Sequence, residues 1–261
     1  MHDHQNAPIS GLPAIILLCL LAGAGMLYAW AVTRSYQKGR AWPLYRMLLW
    51  YTGIAAAALS VIVSQSSSVH MSFRSHMFSH LLLGMLAPLL MAMAAPVTLV
   101  LRALSTSNAR KLARLLKSPL LHWISHPAVA ALLNIGGLSL LYSTRLYEIM
   151  HMHSLLYLAV HLHVFLAGYV FTLSILESDA APWRRGFVLR AVILIIALTG
   201  HGILSKYIYA HPPAGVSPMQ AEAGAILMYY GGDVIEAVLI FFFCRSWYRA
   251  VRPRGAAVEA S

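Results

Sequence analysis

Long uninterrupted apolar runs constrain this chain more than any other feature. Seven segments stand out, at about 11–33, 43–66, 76–101, 125–143, 153–176, 186–207 and 221–244. Apolar runs of about 18 or more residues read as membrane spans. Lipid cannot satisfy open backbone groups, so each span must be helical. The expected fold is therefore an all-α integral membrane bundle of seven transmembrane helices, one domain over residues 1–261. Composition agrees: 59% of residues are hydrophobic and 10% charged, whereas soluble domains carry about 25% charged residues.

The net charge of +11 would suggest nucleic acid in a soluble protein. Here the basic residues sit in short connections, and no basic patch interleaves with aromatics, so nucleic acid is not an expected partner. Cys19 and Cys244 lie in separate apolar runs with no CxxC spacing, which indicates neither a disulfide framework nor a thiolate site. The N-terminal MHDHQNAPIS lacks the basic stretch of a signal peptide, so the first run is expected to stay as a span.

Lysine and arginine set the orientation. Arg34, Lys38 and Arg40 occupy the first connection, Arg110, Lys111, Arg114 and Lys117 the third, Arg184 and Arg185 the fifth. Arg245, Arg249, Arg252 and Arg254 follow the last span, while the alternate connections hold only Arg74 and Arg145. The positive-inside rule then predicts an outer N-terminus and a cytoplasmic C-terminus. The third connection, LRALSTSNARKLARLLK, is basic and amphipathic, suited to an anionic membrane surface or to a topology-setting loop.

With that topology, eleven of the 13 histidines fall in the outer half, all but His122 and His126. Methionine neighbours several of them, in His70-Met71, His76-Met77 and Met150-His151-Met152-His153. Imidazole suits copper and zinc, and thioether selects Cu(I). His76 and His80, four apart, share a helix face. With His70, Met77, His151 and His153 they are expected to form a shallow outer metal site. His161 and His163, two apart, face opposite ways and lie about 12–15 Å below His153. His201 lies about 9 Å below the outer end of its span. One of the pair with His201 defines a second, deeper candidate site. In the last span Glu222, Tyr229, Asp233 and Glu236 follow the 3.6-residue period. Asp233 and Glu236 are expected to face the bundle, with Arg190 as partner, because ionisable groups at that depth need one. Such a face serves either as a structural ion pair or as a proton or cation path.

The stretch HMFSHLLLGMLAPLLMAMAAPVTLVLRAL, from His76 to Leu104, resembles the signature of the CtaG family of polytopic cytochrome c oxidase assembly proteins. The matching residues are His76, Met77, His80, Ala87, Pro88, Pro96 and Arg102. Ala223, Gly224, Met228, Tyr229, Tyr230 and Gly231 are similar to the family's last span. Leu81 stands where the family often has methionine, and Asp233 with Glu236 is not part of the general pattern. The resemblance implies a non-catalytic assembly factor for a haem–copper oxidase in the bacterial cytoplasmic (inner) membrane. It implies Cu(I) as cargo, with oxidase subunits and a periplasmic copper chaperone as partners. Two other readings remain open at this point. One is a haem-binding redox protein using His161 or His163 with His201. The other is a copper- or proton-coupled transporter using the acidic face of the last span.

Overall fold

The computed structural model describes residues 11–66, 72–177, 179 and 184–252. Among them every regular element is helical. The candidate ligand His70 lies outside the described residues, as do His2, His4 and Met71.

Six helices are long and apolar enough to cross a membrane: α1 (Leu12–Gln37), α2 (Leu44–Ser66), α3 (Phe73–Met93), α9 (Ser154–Leu176), α10 (Phe187–Ala210) and α11 (Pro218–Val251). Between α3 and α9 lie α4 (Pro96–Ala103), α5 (Thr106–Leu116), α6 (Pro119–Ile124), α7 (Pro127–Ser143) and α8 (Leu146–Met150). The segment expected as a seventh span, 125–143, is α7, a shorter apolar helix. Its seventeen residues rise about 25 Å, at the lower end of the roughly 17–25 residues a spanning helix uses. The last span, expected at 221–244, is longer than expected. Pro218 opens it at a first-turn position, where a missing N–H costs nothing. The basic third connection forms α5, capped by Ser105 and burying none of its residues.

α3 is the central helix. Of its apolar window 72% is buried, against 28–39% for the other five. It packs on α2, α9 and α11, and α10 packs on α11. α10 turns Ile195, Ile196 and Ile203 outward, the pattern of a surface whose solvent is lipid.

Two irregularities shape α3. Leu81–Leu86 runs as a wide π-turn. Pro88 has no N–H to return to the Gly84 carbonyl four residues earlier, and the wide turn absorbs the break in the ladder. The helix then stops. Ala95 takes the left-handed region, with φ 52° and ψ 56°, just before Pro96, which disfavours a right-handed helical predecessor. The span expected at 76–101 is therefore two helices, α3 and α4.

Asp179 holds the restart in place. Its carboxylate accepts from Val97 N and Thr98 N at 2.7 Å each and from Thr98 Oγ1 at 2.6 Å. These are orphan donors of the α4 first turn, where a negative charge also meets the helix dipole. Asp179→Ala is expected to cost about 2 kcal/mol. Thermal unfolding in detergent reads it, and an unchanged midpoint would refute the cap.

Candidate functional site

Tyrosine precedes histidine by four residues three times, at Tyr147-x3-His151, Tyr157-x3-His161 and Tyr207-x3-His211. In the first two pairs the spacing has the same consequence. On a helix the ring at position i reaches the carbonyl at i−4. His151 Nδ1 donates to Tyr147 O at 2.7 Å, and His161 Nδ1 donates to Tyr157 O at 2.9 Å. A backbone carbonyl only accepts, so each Nδ1 carries the proton and each Nε2 keeps a lone pair. The His161 ring also stacks on Tyr157 at 3.9 Å, and Tyr157 donates its hydroxyl to Ser64 Oγ at 2.9 Å. That chain of contacts ties α9 to α2.

α3 supplies two more histidines beside His151 and His161. His76 and His80 are 5% and 6% exposed. The site expected to open outward is thus enclosed. His76 Nε2 pairs with the Tyr142 hydroxyl at 3.0 Å. His80 is different: both of its ring nitrogens are buried without a hydrogen-bond partner. Buried polar groups are normally paired, and each exception needs a reason. Reciprocal bonds between Ser60 and Ser79, Oγ to O at 3.0 and 3.1 Å, fix α3 against α2 beside it.

An internal cavity of about 20 Å³ joins these groups. His76, His80, His161, Ser79 and Tyr142 line it. His151 extends the cluster, its ring 6.1 Å from His76 with its Nε2 buried and unpaired. Burial holds the His151 imidazole below the ordinary histidine range, and the Tyr147 carbonyl bond opposes that shift only in part. On the far side His201 lies 6.4 Å from His80, ring centre to ring centre. Members of the expected shallow and deep groups thus form one column, His151–His76–His80–His201, with His161 alongside. Among the described residues, no three His, Cys, Asp or Glu side chains already converge on one point at metal-ligand distance.

Other expected members stand elsewhere. Met77 is fully buried among Phe73, Met228 and Leu204, packed against Gly224. It fills core volume, on another face of α3 from the histidines. His153 is exposed at the N-cap of α9, where its carbonyl accepts from Tyr157 N. His163 is exposed and bonds Leu133 O on α7 at 3.1 Å.

The acidic face of α11 divides in two. Its buried stripe runs Ala221, Gly224, Ala225, Met228, Gly232, Glu236, Leu239 and Phe243. Glu236 belongs to the stripe, and its Oε1 lies 3.0 Å from His201 Nδ1. Asp233 is exposed, in an outer groove with Lys206 and Tyr229. Arg190 is neither residue's partner. It donates to Ile175 O at 2.7 Å, pairs with Glu177 at 3.6 Å and lies over Phe187 and Phe243. Phe243 is seven residues, about 10 Å, along α11 from Glu236, which puts Arg190 at a different depth. Sequence reasoning missed Glu177, Asp179, Tyr142 and the first two Tyr-x3-His pairs. The repeated four-residue spacing was the available signal for the last of these.

A model of the family described as cytochrome c oxidase caa3 assembly factor matches residues 26–250. An uncharacterized protein of Mycobacterium leprae is 29% identical over 188 residues, covering 68% of this chain and 28% of that protein. Uncharacterized proteins of Mycobacterium bovis and Mycobacterium tuberculosis are each 28% identical over 193 residues, covering 70% of this chain and 29% of theirs. The chain therefore spans less than a third of the length of these curated relatives. No solved structure matches significantly. The match over residues 26–250, together with a bundle of long apolar helices, places the chain in the cytochrome c oxidase caa3 assembly factor family.

Proposed function

We propose that this protein holds Cu(I) in transit to a haem–copper cytochrome c oxidase, at the outer face of the bacterial cytoplasmic membrane. Copper is cargo here, received from a periplasmic copper chaperone and passed to an oxidase subunit. The observation that carries the reading is His80, an imidazole buried with both nitrogens unpaired, in a cavity shared with His76 and His161. A folded protein loses stability by leaving such a group unpaired, and a ligand that arrives later accounts for it. Imidazoles suit copper. His161 is held by Tyr157 in the tautomer that presents Nε2. His76 exchanges its Tyr142 bond for the ion. A cavity of about 20 Å³ supports an ion over a porphyrin, and absence of a Soret band in the purified protein checks that point.

The test is anaerobic Cu(I) titration of detergent-purified protein against a chromophoric competitor. His76→Ala and His161→Ala are each expected to weaken binding by at least about tenfold. In cells lacking the protein, oxidase copper is expected to fall with oxidase haem retained. Unchanged affinity in both variants, with normal oxidase copper in those cells, would overturn the proposal.

A further inference from the structure

His201 and Glu236 lie on the inner side of His80, 3% and 8% exposed. His201 Nδ1 is 3.0 Å from Glu236 Oε1. A carboxylate on Nδ1–H fixes the ring and its tautomer and raises the basicity of Nε2, the arrangement that supports histidine ligands in metal sites. That Nε2 is buried with no partner, as are both nitrogens of the neighbouring His80. The two rings are 6.4 Å apart between centres. A ligating imidazole nitrogen lies about 2.0–2.1 Å from its ion. Adding the ring radius on each side puts two ligating rings about 6 Å apart.

The surrounding chain is built to admit the His201 ring. A Cβ on Gly232 would collide with it. The sequence keeps glycine there, deep in a 34-residue helix, although glycine costs about 1 kcal/mol in a helix interior. A second internal cavity of about 40 Å³ borders His201 and Glu236, between α3, α7 and α9.

Resting on the copper reading above, we infer that His80 and His201 form a second, inner seat for Cu(I). His80 is shared between the two seats, so one ion passes inward from His76 and His161 by exchanging ligands around it. The ligand class is a soft monovalent ion that accepts two nitrogens. Zinc, which takes four ligands, finds too few here. Glu236 is a positioning residue, acting through His201.

The experiment uses the His76→Ala/His161→Ala double variant, which lacks the outer seat. It is expected to retain one weaker Cu(I), with an X-ray absorption spectrum of a two-coordinate ion bound by imidazole nitrogens. Adding His201→Ala abolishes that binding. Adding Glu236→Ala weakens it about 10–100-fold, while Glu236→Gln, whose amide oxygen still accepts from Nδ1–H, restores most of it. The Gln/Ala contrast keeps the test decisive if His201→Ala does not fold. A double variant that binds no Cu(I), while the wild type binds through His76 and His161, overturns the inner seat alone. Equal affinity in the Glu236→Ala and Glu236→Gln backgrounds also overturns it. A wild type that takes up no Cu(I) overturns the copper reading itself.

Discussion

Gly168→Val is expected to leave almost no correctly assembled protein. A Cβ at this position would sit on the carbonyl oxygen of Gly84, with the Pro88 ring 3.3 Å away. A side chain in the way can change rotamer, but a backbone carbonyl in the middle of α3 cannot. α9 and α3 would have to separate along their whole crossing. α3 is the most enclosed helix of the bundle, so the displacement spreads to α2 and α11. Small residues at membrane helix crossings allow the close packing on which association in lipid depends. Overpacking a core commonly costs 1–3 kcal/mol, and a clash with fixed backbone should exceed about 3 kcal/mol on the same scale. Size-exclusion profile and thermal unfolding in detergent read the effect. Gly23→Val is the control, since a Cβ there meets nothing within 4 Å. A Gly168→Val protein that elutes and melts like the control would refute the close crossing.

That crossing also explains what the sequence could and could not disclose. The long helices are legible because lipid imposes one solution on an apolar run. Pro96 marked a helix boundary at Ala95, but the reading of 76–101 as one span let hydropathy override it. The histidine column was not legible. His80 and His201 are more than a hundred residues apart, and their shared depth depends on how closely α3, α10 and α11 approach one another. Those approaches are set by glycines, and a glycine's role in a crossing depends on its partner helix. Glu236 and Asp233 show the limit of helical periodicity. Three residues turn a helix through about 300°, so the pair differs by about 60°. Both residues line the outer groove, but that angle is enough to bury Glu236 against His201 and leave Asp233 exposed. Arg190 was matched to the wrong acid because Glu177 sits at the end of α9, where the chain turns left-handed with φ 46°. No periodic pattern reports that position.

His80→Leu is expected to raise stability while abolishing oxidase maturation. Leucine fills much of the imidazole's volume and brings no polar atoms. It removes two buried nitrogens that have no partner. An unsatisfied buried group costs about 1–3 kcal/mol, so the variant should gain at least about 1 kcal/mol and melt higher. His76→Leu should move the other way, because it strands the fully enclosed Tyr142 hydroxyl that His76 Nε2 now meets at 3.0 Å. Two histidines one turn apart on the same helix thus carry opposite stability signs. Function separates from stability in the same comparison. Neither variant should restore oxidase copper in cells lacking the wild-type chain, although one is more stable than wild type and the other less. Functional sites commonly hold groups that the fold alone would discard, and His80 has that signature. If His80→Leu melts lower than wild type, its imidazole has a structural partner. If it melts higher and the oxidase still acquires copper, the unpaired nitrogens serve something other than the metal.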